Sequence, residues 1–410
     1  MSVAPGPIPR RVVVALAAGS LLLTAACSGR ADESSGSGAG SNTGSDEPIV
    51  VGMSFPLSGP LSGAAAVADG AAAYFERINA EGGVGGREID YQVLDDAYDP
   101  ARQAENARQL VDQEDAGIVL TFGGISSATA PYLNGQKVAH VAFGTQAALS
   151  DTDATPYTRG WFPDGSWEGQ VVAQHIQDEQ PDASVGVLGI ANDLTTSQVD
   201  GMAAAGLTPD KVLTVPPGVV DLTSQLNELR AAGVDTLFLA VVGPAQPATL
   251  RTMANIGYQP TTYLYSAASD LATSVGPAGP ENATDAFTAQ YFKDPADPRW
   301  ADDEGVQAFK EDIAEYGDEA NADSYLAIEG YGAAAAIVAA LEDSGGEGGD
   351  AFTEAWDSID GIDNPAILPD MQLSAGPGSR LVHQYRVLQF DGTSWQDAGD
   401  VVDADDLAQG

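Results

Sequence analysis

The sequence predicts an α/β protein with two Rossmann-like lobes, each a parallel sheet with helices on both faces. The first observation is a set of short apolar runs without polar alternation, such as 118–122. Strands that helices cover on both faces have this composition. Segments of helical length separate the runs, which is the pattern of βαβ units. The alternation also occurs twice, over 49–143 and 184–265, so two similar lobes are predicted rather than one large sheet.

The first lobe is predicted from four apolar runs and the segments between them. Its first helix is expected to end at the glycines after Glu81, and Pro100 is expected to begin the second helix. The predicted strands are 49–55, 89–95, 118–122 and 138–143, and the predicted helices are 64–79, 100–112 and 126–134.

The second lobe repeats the periods and lengths of the first. Its predicted strands are 184–190, 212–215, 236–242 and 262–265, and its helices are 196–205, 222–232 and 245–256. Residues 157–163 are predicted to cross between the lobes. After Asn282 the pattern becomes helical, at 301–316, 324–341 and 351–359, before a last strand at 382–390 and a turn at 391–392.

The N-terminus has the features of an export signal. Arg10-Arg11 precedes an apolar run at 12–23, and small residues lead to Cys27, the single cysteine of the chain. That run is shorter than the ~20 residues a transmembrane helix needs. The boundary resembles a bacterial lipobox, so 1–27 is predicted as a lipoprotein signal with Cys27 as the lipidated residue. Residues 28–47 are rich in Gly, Ser and acids and are predicted to be a flexible linker.

The charge of the chain excludes one class of partner. There are 17 basic and 59 acidic residues, a formal net charge of −42. Such a field repels nucleic acid and anionic lipid, so no nucleic-acid partner is expected. Because the acids are spread along the chain, we interpret them as a solvated, solubilising surface.

Catalytic and metal-binding patterns are mostly missing from the sequence. The three histidines, His140, His175 and His383, have no metal-ligand spacing. His140 lies inside an apolar strand and is predicted to be a core residue. The pair Asp95-Asp96 ends a strand, where adjacent side chains point to opposite faces. We therefore expect no enzyme activity, no cofactor and no bound metal.

The turn after the predicted strand 118–122 is the first candidate site. Gly123-Gly124 ends the strand, and Ser126 and Ser127 stand where a helix would begin. Hydroxyls there are expected to cap free N–H groups. The same N–H groups and the helix dipole can bind a carboxylate, at the edge of the sheet where ligands bind in parallel sheets.

Several motifs in a shared order resemble the leucine/isoleucine/valine-binding protein family, a branch of the type I periplasmic binding proteins. The resemblance covers 49–266 and is looser beyond Asn282, where 325–331 and the alanine-rich helix after it carry it. The matching pieces are Pro56-Leu-Ser-Gly-Pro60, 78–89, Asp95-Asp-Ala-Tyr-Asp-Pro100, Gly123-Gly-Ile-Ser-Ser127, Pro216-Pro-Gly218 before Asp221-Leu222, and 226–235.

This resemblance implies two lobes joined by three hinge crossings, closing on a small molecule. It implies lobes formed by 48–160 with 290–360, and by 161–289 with 361–410. Members deliver solute to the membrane permease and ATPase of an importer, so these partners, a lipid anchor on the outer face of the membrane and a monomeric state are expected. A ligand-sensing receptor that passes closure to a signalling partner is the alternative.

The resemblance also implies particular ligand-binding residues. Backbone and hydroxyl groups of Ser126, Ser127, Gly144 and Thr145 would bind the ligand carboxylate. Aromatic residues common in the cleft are replaced by Ala64, Leu194 and Val242 or Gly243. Aromatic side chains that could compensate, or could instead be packing residues, are Trp161, Phe162, Trp167 and Tyr325.

The acid that holds the ammonium of amino-acid ligands in this family corresponds to about Ala267, which is uncharged. A desolvated ammonium without a carboxylate is costly, so an uncharged or carboxylate-bearing ligand with an apolar body is favoured. If Asp270 instead lines the cleft, leucine-like amino acids are expected.

Overall fold

The computed structural model of the protein describes residues 47–59 and 61–407. The predicted signal 1–27, with Cys27, and the predicted linker up to residue 46 lie outside the described residues, as does Pro60. The described residues belong to one unit of the chain, Ser45–Gly410.

The first sheet, sheet 1, contains five strands that are all parallel, in the order β2-β1-β3-β4-β5. The apolar runs of the sequence form its centre, and β4 is buried along its whole length. The strands are β1 (Ile49–Phe55), β2 (Ile89–Asp95), β3 (Ile118–Phe122), β4 (Ala139–Phe143) and β5 (Thr158–Gly160).

The second sheet, sheet 2, has seven strands in the order β12-β11-β10-β9-β8-β6-β7. Strands β6 to β10 are parallel, whereas β11 is antiparallel to both β10 and β12. The strands are β6 (Val185–Ile190), β7 (Lys211–Val215), β8 (Thr236–Ala240), β9 (Thr261–Leu264), β10 (Phe287–Gln290), β11 (Gln384–Phe390) and β12 (Trp395–Asp403). The α/β class with parallel sheets is confirmed.

Helices follow most strands, as in βαβ units. They are α1 (Ala65–Ala80), α2 (Pro100–Asp112), α3 (Ser126–Gln136), α4 (Gly165–Glu179), α5 (Asp193–Ala204), α6 (Thr223–Ala232), α7 (Ala245–Ile256), α8 (Gly276–Ala278), α9 (Glu304–Tyr316), α10 (Tyr325–Asp343), α11 (Gly349–Asp357) and α12 (Ala404–Leu407).

Five elements were not predicted from the sequence, two of which are the short helices α8 and α12. Helix α4 lies where only a connection was expected, and its N-cap Asp164 accepts a hydrogen bond from Ser166 N. Strand β10 lies after Asn282, in a stretch that was predicted to be helical, and it is only four residues long. Strand β12 is mostly exposed beyond Trp395, so it shows little alternation of apolar and polar residues. The predicted crossing strand 157–163 is confirmed only as β5, an edge strand of sheet 1.

The longest helix, α10, is a core helix against α1. A Cβ on Gly70 would lie 1.8 Å from the Ala327 carbonyl oxygen, and one on Gly330 would lie 1.9 Å from that of Val67. Glycine is therefore required at this crossing. Within residues 47–59 and 61–407, α10 is the one helix long and apolar enough to cross a membrane. Since 78% of its apolar window is buried in the protein, we assign it to the core.

Three segments, 161–164, 291–303 and 358–383, connect the elements of sheet 1 with those of sheet 2, and they bond to one another. Val382 N donates to Trp161 O at 3.3 Å, which pairs the first segment with the third. Lys293 N donates to Ala366 O at 2.7 Å, which pairs the second with the third. The three connections therefore form one bonded strip between the sheets.

Candidate functional site

The loops after β3 and β4 are packed together at the carboxyl edge of sheet 1. Gly123 N donates to Phe143 O at 2.9 Å. A Cβ on Gly144 would lie 2.7 Å from Leu149 Cδ1 and 3.1 Å from Gly123 O, so a larger residue would push these loops apart. The structure thus brings together the two loops predicted to bind a carboxylate.

Ser126 is fully buried, and its hydroxyl is part of a chain of core hydrogen bonds. Thr121 Oγ1 donates to Ser126 Oγ at 2.7 Å and lies 2.7 Å from His140 Nε2. Burial lowers the pKa of His140 to about 3, so the ring is neutral, and the prediction of a core histidine is confirmed. The predicted serine cap is wrong, because the N-cap of α3 is Ile125 and no side chain caps it. A ligand role for Ser126 stays a prediction.

Ser127 and Thr145 are half-buried and follow β3 and β4 at the carboxyl edge of sheet 1. Gly165 N, the first residue of α4, donates to Thr145 O at 3.0 Å. A Cβ on Gly165 would lie 3.7 Å from Thr145 Cβ and 3.2 Å from Leu194 Cδ1. Thr145, after β4 of sheet 1, and Leu194, after β6 of sheet 2, therefore both lie close to the same glycine.

Asp95 ends β2 and Asp96 directly follows it, and the two acids have separate roles. The exposed Asp95 carboxylate accepts hydrogen bonds from Leu57 N, Ser58 N and Ser58 Oγ, which lowers its pKa. The buried Asp96 carboxylate accepts one from Ser54 Oγ at 3.1 Å. Each acid thus stabilises a loop at the edge of sheet 1, and the two do not converge on one substrate atom.

Trp161 and Phe162 lie in the first connecting segment. Trp161 is fully buried, and its ring stacks on Phe292 of the second segment at 5.6 Å between centroids. Phe162 contacts Phe143 edge-on at 5.6 Å. Trp161 therefore packs between the connecting segments, and a ligand-binding role for it stays a prediction.

Arg380, in the third segment, was not predicted as a functional residue. Its fully buried guanidinium donates to Gly144 O at 2.8 Å, Gln146 O at 2.9 Å and Ser150 Oγ at 2.6 Å, and also to Phe162 O. Burial lowers its pKa to about 10, so it remains charged at neutral pH. Because Arg380 bonds the carbonyls on both sides of Thr145, it positions the loop of a candidate ligand residue.

Glu168, in the first turn of α4, is a second residue that sequence reasoning missed. Its carboxyl accepts hydrogen bonds from Ser266 N at 2.8 Å and Gln198 Nε2 at 3.1 Å. Burial raises its pKa to about 8, so the group is protonated at neutral pH. Ser266 directly precedes Ala267, the position the resemblance assigned to the ammonium-binding acid.

Tyr325 is buried at the start of α10, where its hydroxyl donates to Gln290 Oε1 at 2.7 Å. One turn further on, Glu329 is buried and its Oε1 has no hydrogen-bond partner. Burial raises the pKa of Glu329 well above its ordinary range. The only sequence signal for either glutamate was an acid inside an apolar segment.

Asp270 is 7% exposed and caps its own turn. Its carboxylate accepts hydrogen bonds from Thr273 N at 2.6 Å and Thr273 Oγ1 at 2.9 Å. Burial raises its pKa, against the effect of these bonds. Across the described residues, no three His, Cys, Asp or Glu side chains are grouped to bind a metal ion.

Comparisons with known proteins agree with this architecture. A family model described as periplasmic binding protein matches residues 48–398. A branched chain amino acid ABC transporter structure from Thermus thermophilus, with bound valine, has a TM-score of 0.79 at 18% identity, covering 88% of this chain and 98% of that one. A solute binding protein of an ABC transporter from R. palustris, in complex with benzoate, has a TM-score of 0.71 at 17% identity, covering 87% of this chain and 98% of that one.

A branched-chain amino acid transporter substrate binding protein from Streptococcus pneumoniae, in complex with isoleucine, also shares the fold, with a TM-score of 0.71 at 18% identity over 87% of this chain and 99% of that one. A search of curated protein sequences finds no match. A parallel sheet and a mostly parallel sheet, joined by three bonded segments, define a two-lobed α/β binding protein. The chain belongs to the periplasmic binding protein family.

Proposed function

We propose that this protein is the solute-binding component of an ABC-type importer. It captures a small molecule between two lobes, formed by 48–160 with 290–360 and by 161–289 with 361–410, and delivers it to a permease and its ATPase. It acts as a binding protein and not as an enzyme, and as a monomer.

One observation carries the proposal. The loops that follow β4 in sheet 1 and β6 in sheet 2 meet at Gly165, where a Cβ would lie within 4 Å of both Thr145 and Leu194. Ligands of parallel sheets bind at such carboxyl ends. A solute between them contacts both lobes only when these are closed, so binding favours the closed state.

The head group of the solute is proposed to be a carboxylate or an amide at Ser127 and Thr145. Asp270 caps its own turn, and Glu168 is neutral at pH 7, so neither supplies a free charge for an ammonium. An uncharged or carboxylate-bearing molecule with an apolar body is therefore preferred over an ordinary amino acid. The benzoate complex of the R. palustris relative supports this choice, whereas the valine and isoleucine complexes support amino acids.

We expect Thr145→Val to weaken binding of that solute about tenfold or more, because a hydrogen bond to a charged group is lost. The solute is first identified by mass spectrometry of the purified protein. A thermal-shift panel of branched amino acids, carboxylates and amides checks this binding, because a ligand at 100 times its dissociation constant adds about 2.7 kcal/mol to the stability of the folded protein.

Thr214→Val is the matched control, because Thr214 lies exposed on the edge strand β7. It should leave the affinity unchanged. Equal affinities of both variants and the wild type would contradict the proposed head-group site. A protein that carries no small molecule and responds to no compound of the panel would contradict solute binding itself.

The protein is proposed to work outside the cytoplasm, as its family does, tethered to the outer face of the membrane by lipid on Cys27. A lipid tether is consistent with delivery of solute to a permease, because it keeps the folded body close to that membrane partner. The signal pattern before Cys27 and the Gly- and Ser-rich segment after it are the supporting observations.

We expect Cys27→Ala to be released from the membrane into the medium, because Cys27 is the only residue that could carry the lipid. Fractionation of cells that express the full chain measures this. Ser28→Ala, one residue further on, is the control and should stay in the membrane fraction. Retention of Cys27→Ala at the wild-type level would show that another element provides the anchor.

A further inference from the structure

A pocket of about 220 Å³ lies at the carboxyl ends of β6, β7 and β8 in sheet 2. Its walls come from the three loops that follow these strands. All ten lining residues are apolar, and those used here are Ile190, Val215, Val219, Val220, Val242 and Pro244. None of the residues that the resemblance assigned to ligand binding lies on the loop after β7.

The size and lining of the pocket define what it can bind. An apolar protein cavity of about 150 Å³ stays dry and binds benzene, so this larger pocket has room for a substituted ring. Its side chains offer no hydrogen bond, so a polar or charged group would be desolvated there without compensation. An aromatic ring or a branched alkyl group is the chemistry that fits.

The position of the pocket connects it with the proposed cleft. Ile190 ends β6, and Leu194, four residues later, lies against Gly165, the same glycine that Thr145 contacts. Val242, a second wall, or its neighbour Gly243 is the position at which the resemblance implies that a family aromatic is replaced. Val220 at the rim is 43% exposed, although large apolar side chains are mostly buried in the described residues.

We propose that this pocket receives the apolar body of the solute, an aromatic ring or a branched alkyl group, with the polar head at the loops after β3 and β4. This inference rests on the proposed function and names the substrate class. The loop 216–220 then determines specificity, because four of its five residues line the pocket.

The experiment compares acetate with a series of phenyl-substituted acids, from benzoate to 4-phenylbutyrate, by titration calorimetry. The wild type is expected to bind at least one phenyl acid about tenfold or more tighter than acetate, because the ring is buried. Val219→Trp fills the pocket and should abolish this preference. Val212→Trp, on the exposed side of β7, is the matched control and should keep it.

Val220→Trp begins from the 43% exposed rim position and gives a second filling variant if Val219→Trp does not fold. Crystals of the wild type under xenon test the pocket with a probe that has no polar head group. Xenon is expected in the pocket. A ring preference that survives both filling variants, or xenon missing from the pocket, overturns the inference. Thr145→Val distinguishes the two proposals: if it weakens binding while filling the pocket does not, the importer function stands and the pocket assignment fails.

Discussion

Arg380→Ala is expected to lower the free energy of unfolding by about 4 kcal/mol or more. The variant removes the donor of the Gly144 and Phe162 carbonyls and one of the two donors of the Gln146 carbonyl, which still accepts from Leu149 N, and it opens a cavity between the connecting segments. Each buried acceptor without a partner costs about 1–3 kcal/mol. Urea unfolding, followed by circular dichroism, measures the loss as a lower midpoint.

A lysine at this position tests the positioning role separately. Arg380→Lys keeps the charge but has no planar fork to reach several carbonyls at once. We expect it to fold and to bind the solute more weakly, because the loop that carries Thr145 loses part of its support. Arg102→Ala, at an exposed position of α2, is the control and should change stability by less than about 0.5 kcal/mol. An unchanged midpoint for Arg380→Ala would show that water replaces the guanidinium.

Glu168→Gln is expected to stabilise the protein at alkaline pH by roughly 3–5 kcal/mol. Burial raises the pKa of Glu168 from 4.5 to about 8, so between these values the folded state keeps a proton that the unfolded state releases. The wild type therefore loses stability as pH rises from 4.5 to 8, by up to about 1.4 kcal/mol per pH unit from this group. Glutamine keeps the shape and the neutral charge, so the variant lacks this loss.

The measurement is the urea midpoint of both proteins from pH 4 to pH 9. Near pH 4 the curves should coincide, and above pH 8 they should be separated by a constant amount. Asp294, with its pKa raised to about 7, and Glu329 are buried acids in both proteins, so the difference between the curves isolates Glu168. Glu179→Gln, exposed at the end of the same helix, should follow the wild type. Parallel curves for Glu168→Gln and the wild type would show that the carboxyl is ionised in the fold.

The central strands were predictable from the sequence because each is covered on both faces. The run Ile118–Phe122 became β3 with the predicted bounds, and the runs that became β1 and β2 also match. A continuous apolar run has few other stable environments, so local composition determines these strands. The same holds for the helices between them, whose ends carry glycine or proline signals, as at Pro100.

The elements that were missed depend on tertiary contacts. Strand β10 is four residues long and exists because β9 and β11 supply partners on both sides. Strand β12 pairs with β11 but buries little, so its composition is that of a loop. The start of α3 has no side-chain cap, and the predicted capping hydroxyl of Ser126 instead accepts a hydrogen bond from Thr121 in the core.

Part of the candidate site was likewise predictable from the sequence, and part of it depends on tertiary contacts. The sequence by itself determined the loops after β3 and β4, because turn residues after a buried strand mark the carboxyl edge of a sheet. It could not show that Arg380, 235 positions after Thr145, bonds the carbonyls beside it, nor that Glu168 accepts a hydrogen bond from the residue before Ala267. The role of an ionisable group inside a protein depends on its surroundings. Only the tertiary structure brings together the partners and the burial that decide whether the group is paired, neutral or functional.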